Sequence, residues 1–285
     1  MDTRPYAVLD VFTDTRLAGN ALAVVGDGDG LDDQTMQRFA RETRLAETTF
    51  VQSPTADGAD YRNRIFTVVE EVPFAGHPSL GTAVAVARAR GERDASYVQQ
   101  TGAGLQPVDV RATEGGAYAS VLQEPAVFGA ELDPATVMAA VGLDAADAHP
   151  NLPTQVVSTG LPTLVAPVAR GASVSRASPR FEAIDALLGP LDAQTLYLAH
   201  HQAGAGTARA RMFSRLVVEG EDPATGSAAG PLCAYLAERS VATRVEIAQG
   251  VEIGRPSRLV AELEGERVRV GGDVVVVVEG RVTLP

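Results

Sequence analysis

The sequence predicts an α/β protein built from two similar halves of about 140 residues each, and three observations carry that prediction. Arg64-Ile65-Phe66-Thr67 recurs as Arg211-Met212-Phe213-Ser214, an offset of 147 residues. Each copy is followed by an acidic stretch, Glu70-Glu71 in the first and Glu219-Gly220-Glu221-Asp222 in the second. Each then reaches a small-glycine turn opening an alanine-rich helix, Ala75-Gly76-His77-Pro78 and Thr225-Gly226-Ser227-Ala228, with His77 and Ser227 150 residues apart. Strand, acidic loop and glycine-helix turn recurring in order, at nearly equal offsets, point to a duplicated unit.

The remaining elements fit two half-open α/β units. Residues 6–12 and 20–25 read as strands, with Gly19-Asn20 supplying turn chemistry. The acidic run 27–33 superficially suggests a calcium loop, but Asp32 and Arg38 stand where an EF-hand needs Gly and Glu. It reads as a solvated loop whose Asp32 or Asp33 caps the next helix. That helix places Met36, Phe39 and Ala40 on one buried face and ends near Arg44. Residues 47–51 have strand content, so Glu47 sits where helix gives way to strand. Further on, 134–141 and 181–188 read as helices and 155–158 and 164–168 as extended. Residues 267–270 and 273–279 read as closing strands. Neither half shows the steady alternation of a Rossmann sheet. Gly102-Ala103-Gly104 and Gly204-Ala205-Gly206 both lack the third glycine of a dinucleotide fingerprint.

Composition removes whole classes of chemistry. All 24 basic residues are Arg, so no lysine can form a Schiff base, fill a P-loop or act as a general base. The single Cys233 excludes an internal disulfide, a CxxC pair and a two-thiol racemase, and its place beside Leu232 and Leu236 suggests core packing. A net charge of −12 with scattered Arg argues against a nucleic-acid partner. No run of about 18 apolar residues predicts a membrane span. The opening Met1-Asp2-Thr3-Arg4-Pro5-Tyr6 lacks a basic region followed by an apolar core, so the expected address is the cytoplasm.

Acid–base work is left to His, Asp, Glu and Tyr. The histidines are His77, His149, His200 and His201, without an HExxH, and no GxSxG elbow is present. His77 and Ser227 stand out by placement, each following a glycine at the mouth of a helix. Unpaired amides at such a mouth bind anions, so two of them would let an acidic protein hold a small carboxylate. The plainer alternative is that both residues are N-caps and Pro78 a favoured first-turn residue. Glu47 and Asp222 are acidic candidates, but spacing alone does not separate them from Glu70, Glu71, Glu219 and Glu221.

Several longer blocks carry a resemblance. Asp10-Val11-Phe12 with Gly19-Asn20, Leu45-Ala46-Glu47-Thr48-Thr49-Phe50-Val51, Pro73-Phe74-Ala75-Gly76-His77-Pro78 with Leu80-Gly81-Thr82-Ala83, Glu221-Asp222-Pro223-Ala224-Thr225-Gly226-Ser227-Ala228-Ala229-Gly230-Pro231 and Gln249-Gly250-Val251-Glu252-Ile253-Gly254-Arg255-Pro256-Ser257 run in order along most of the chain. They resemble the signature blocks of the phenazine biosynthesis PhzF family. The resemblance implies the diaminopimelate-epimerase-like fold: two pseudo-symmetric halves, each wrapping a central helix, with the active site in the cleft between them. The expected halves are residues 1–115, to which the strand 274–285 returns, and 116–273. Where cysteine-using epimerases carry a thiol at each helix mouth, this chain has Ala75 and Thr225.

The family's phenazine enzyme isomerises trans-2,3-dihydro-3-hydroxyanthranilate by a C3-to-C1 proton shift, without metal or redox cofactor, and the resemblance extends that expectation here. It implies Glu47 as base and then acid, with His77 and Asp222 polarising the hydroxyl and amine region. Ser227, with the Gly226 and Gly76 backbone, would hold the carboxylate, and Thr225 would be a further substrate-binding residue. Ala46 departs from the family's frequent Ser at that place. Other readings are an isomerase or epimerase of another small amino or hydroxy acid, and a non-catalytic binding protein on the same fold. The implied partners are a small aromatic-like amino-carboxylate and a second copy of the chain. A solution mass near twice 29.7 kDa at micromolar concentration is the expected result, and the monomer mass would remove the homodimer.

Overall fold

The computed structural model describes residues 2–202, 204–215, 217 and 220–285; Glu219 of the second acidic stretch lies outside them. The chain forms two compact units, Met1–Val121 with Gly271–Pro285, and Leu122–Val270.

Unit 1 runs β1 (Asp2–Val11), β2 (Asn20–Val25), α1 (Asp33–Thr43), β3 (Glu47–Gln52), β4 (Tyr61–Thr67), β5 (Glu71–Val72), α2 (Gly76–Arg90), β6 (Asp94–Thr101), β7 (Gly104–Ala112) and β8 (Ala117–Leu122). Asp32 is the N-cap of α1, its carboxylate accepting from the Thr35 amide at 2.6 Å. β1 is antiparallel to β2, β2 parallel to β3 and β3 antiparallel to β4; β4 is parallel to β6, which continues antiparallel through β7 to β8. Unit 2 runs β9 (Val127–Leu132), α3 (Pro134–Ala140), β10 (Thr154–Ser158), β11 (Pro162–Pro167), α4 (Gly171–Arg176), α5 (Phe181–Leu188), β12 (Thr195–Gln202), β13 (Thr207–Phe213), β14 (Glu221–Asp222), α6 (Gly226–Glu238), β15 (Arg244–Gln249), β16 (Ser257–Glu264) and the start of β17 (Arg267–Leu284). The expected strands 267–270 and 273–279 are one strand. Its later part pairs with β1 and, with β8, closes the unit 1 ladder into a barrel.

The duplication extends to register. β10 to β16 repeat the pairings of β1 to β7: antiparallel β10–β11, parallel β11–β12, antiparallel β12–β13, parallel β13–β15 and antiparallel β15–β16. Phe66 faces Glu71 across β4 and β5, as Phe213 faces Glu221 across β13 and β14.

The strands wrap α2 in unit 1 and α6 in unit 2. Every residue from His77 to Val84 is buried, and so is every residue from Ala228 to Leu236. A helix with one core face would bury a stripe; these bury every face, which explains why neither is amphipathic. Small residues let the surrounding chain approach. A Cβ on Gly81 would lie 2.6 Å from Leu22 Cδ2, and one on Gly230 would lie 1.8 Å from Gln123 Oε1. Among the described residues no helix is long and apolar enough to cross a membrane.

Cys233 sits in α6 with no exposed surface, and burial pushes its thiol up to about 12. Thiolate is the reactive form. The folded protein should therefore resist iodoacetamide at neutral pH and react at one thiol only on unfolding. Rapid stoichiometric labelling of the native state would contradict the placement.

Candidate active site

In unit 1 the first residue of β3 and the second residue of α2 come together. The His77 Nε2 lies 3.2 Å from a Glu47 carboxylate oxygen, with side-chain exposures of 6% and 18%. A tie deeper in the unit fixes their approach. Thr49 Oγ1 hydrogen-bonds Thr82 Oγ1 at 2.8 Å, two strand residues beyond Glu47 and five helix residues beyond His77. Those steps span about 6.6 and 7.5 Å, so the strand and helix run in step from the tie to the pair. On the chain entering α2, the Arg64 guanidinium holds Glu71 with contacts of 2.8 and 2.6 Å and lies over the Phe66 ring.

Burial removes water from the imidazolium and pushes His77 down from 6.5 to about 3. A carboxylate 3.2 Å away pulls the other way, but inside the unit desolvation dominates. His77 is a neutral imidazole at physiological pH.

Unit 2 builds its helix mouth differently. Asp222 and Thr225 are buried, and the Thr225 hydroxyl donates to Asp222 Oδ2 at 2.5 Å. Gln249 donates to the Asp222 carbonyl at 2.7 Å and to Thr225 Oγ1 at 2.9 Å. Glu221, next to Asp222, is gripped by Arg211 through contacts of 2.8 and 2.7 Å, and the guanidinium lies over Phe213. This repeats the Arg64–Glu71 pair of unit 1, now buried on both sides. Gly226 and Ser227 open α6, and the Gly226 carbonyl accepts from Gln123 Nε2 at 2.9 Å.

The helix N-caps are Ala75 and Thr225, and neither makes a side-chain cap bond. His77 and Ser227 are second residues of their helices, so the reading that made them N-caps does not hold. First-turn amides with no capping side chain are the donors suited to an anion. Glu47 and His77 form one group and Asp222 and Thr225 another; Ser227, Gly226 and Gly76 occupy first turns. Of the competing acids, Glu71 and Glu221 serve as arginine partners. Sequence reasoning missed Gln249 as a site residue; its one signal was its position heading the block 249–257. Among the described residues no group of three or more His, Cys, Asp or Glu is placed to hold a metal.

A cavity of about 620 Å³ in unit 1 lies elsewhere, beside the C-terminal half of α2. Tyr6, Gln52, Tyr61, Arg88 and Glu279 line it, and it includes neither Glu47 nor His77. Its Arg88 and Glu279 pair at 3.0 Å, and Asp27, Asp29, Asp60 and Arg90 also line it.

Because His77 is depressed, the unfolded chain binds its proton below about 6.5 while the folded chain waits until about 3. Stability from this group is complete above the upper value and is lost as pH falls across that window. His77→Asn should lose less stability than wild type between pH 7 and pH 5 in thermal unfolding. Equal losses would show that the imidazole is not held neutral.

A sequence model of the PhzC-PhzF family, phenazine biosynthesis-like proteins, matches residues 9–280. The chain is 40% identical to a trans-2,3-dihydro-3-hydroxyanthranilate isomerase of Pseudomonas aeruginosa, over 98% of this chain and 99% of that one. The solved structure of a protein described as a predicted epimerase from Pseudomonas aeruginosa superposes with a TM-score of 0.86 at 36% identity, covering 98% of this chain and 99% of the other. A PhzF-family protein of Bacillus anthracis superposes at 0.85 with 29% identity, covering 99% and 100%. With the duplicated units wrapped around buried helices, these likenesses establish that the chain belongs to the PhzC-PhzF family and is an isomerase of the PhzF type with an epimerase-like fold.

Proposed function

We propose that this chain converts trans-2,3-dihydro-3-hydroxyanthranilate to its aminoketone isomer, with Glu47 carrying the proton from C3 to C1. The observation that carries the reading is the Glu47–His77 pair, a little-exposed carboxylate 3.2 Å from an imidazole at the mouth of a buried helix. The substrate comes from the relative 40% identical over nearly its whole length.

Glu47 takes the C3 proton, and the electron pair left behind spreads through the diene toward C1 and its carboxylate. Return of the proton to C1 forms the new C–H bond and moves both double bonds. The enol so formed tautomerises to the ketone. No electrons are gained or lost, so one group that accepts and returns a proton suffices. With no lysine and one buried thiol, a carboxylate is the natural carrier.

The neutral imidazole of His77 and the carboxylate of Asp222 serve the hydroxyl and amine region. Ser227, with the Gly76 and Gly226 backbone, serves the carboxylate, whose growing charge the first-turn amides favour. The reaction runs in the cytoplasm in a homodimer.

Glu47→Gln keeps the shape and hydrogen-bonding reach but cannot take the proton. It should retain binding of a substrate analogue while losing roughly 10²–10⁴ in turnover, the usual worth of general acid–base catalysis. Turnover within a few-fold of wild type would place the proton carrier elsewhere.

A further inference from the structure

Gln249 ends β15 with no exposed surface, and all four of its hydrogen-bonding positions are filled. Its Oε1 accepts from the Tyr197 hydroxyl at 2.9 Å and from the Thr225 amide at 3.3 Å. Its Nε2 donates to the Asp222 carbonyl at 2.7 Å and to Thr225 Oγ1 at 2.9 Å. A backbone amide only donates and a carbonyl only accepts, so these two partners fix which end of the side-chain amide faces which way. Thr225 Oγ1 therefore receives a proton from Gln249, and its own single proton is left for Asp222 Oδ2, 2.5 Å away.

Unit 1 lacks this wiring although the backbone of its helix mouth takes an equivalent course. Gly102 and Gly250 mark equivalent turns: a Cβ on the first would lie 2.8 Å from Pro73 Cα, and one on the second 2.6 Å from the Pro223 carbonyl oxygen. Counting back from those turns, Val72, Ala75 and Thr101 stand where unit 2 has Asp222, Thr225 and Gln249. Thr101 spends its hydroxyl within its own turn, donating to the Gly104 carbonyl and accepting from the Ala103 amide. One mouth folds without the network, so the duplicated scaffold does not require it.

We infer that Gln249, oriented by the Thr225 amide and the Asp222 carbonyl, and Thr225 are positioning residues that lock Asp222 as a hydrogen-bond acceptor. The site thereby selects substrates presenting an amino or hydroxyl donor, such as a 2-aminocarboxylate ring, over those presenting a carbonyl. This reassigns Thr225 from substrate-binding residue to partner of Asp222, and it rests on the proposed role of Asp222 in the reaction.

Thr225→Val removes the hydroxyl and keeps the shape. The helix loses no cap, because the Thr225 side chain caps nothing. The variant should keep the wild-type melting temperature within a few degrees and lose about 10–100-fold in kcat/KM, the worth of a hydrogen bond to a charged group. Thr225→Ser should recover to within about three-fold. Adding Gln249→Leu to Thr225→Val should cost little more, since both break one chain of bonds. Asp222→Asn run beside them separates the two claims. If it is inactive while Thr225→Val turns over within about three-fold of wild type, the positioning inference is overturned and the role of Asp222 stands. If Asp222→Asn is itself active, the role of Asp222 falls and the inference goes with it.

Discussion

Complete burial of a helix inside a ring of strands is the constraint on which this molecule depends. α2 and α6 have no solvent face along their central turns, so those turns are mostly small or apolar, and the hydroxyls of Ser79, Thr82 and Tyr235 are hydrogen-bonded. Side-chain bulk is limited by the approach of strands at positions such as Gly81 and Gly230. Neither N-terminus is capped by a side chain, so first-turn amides stay available as donors. Groups near such a mouth lose water, which is why His77 stays neutral beside Glu47.

Duplication explains the scaffold, and divergence explains the chemistry. What the two units share is structural: the order of strand pairings, the Arg64–Glu71 and Arg211–Glu221 pairs, and the close turns at Gly102 and Gly250. What differs is polar and lies at the mouths. Glu47 begins β3 where Thr195 begins β12, and His77 corresponds to Ser227. Asp222 with Thr225 and Gln249 answers to Val72, Ala75 and Thr101. Each unit keeps the anion-suited helix start and equips it separately.

The repeat was legible because it rests on short, sequence-local motifs: Arg-x-Phe before an acidic stretch, and glycine opening a helix. α1 and its Asp32 cap were legible for the same local reason. The many antiparallel strands of each ring were less so, because α2 and α6 bury every face and leave no helical stripe to count. Gly271-Gly272 read as a break in what is one strand, β17, because pairing with β1 carries it onward. The Glu47–His77 approach joins residues 30 apart in sequence, and no periodicity announces it. Gln249 was hidden for a different reason: its counterpart in the repeat is Thr101, so the duplication gave no second copy to compare.

The proposed chemistry lies at the helix mouths and not in the 620 Å³ cavity beside the C-terminal half of α2. A crystal structure with 2-aminobenzoate decides between them most directly. The ring is expected against Glu47 and His77, with the Glu47 carboxylate within hydrogen-bonding reach of the ring substituents or edge. A ligand seated instead among Tyr6, Tyr61 and Arg88, with the Glu47–His77 pair untouched, would contradict it.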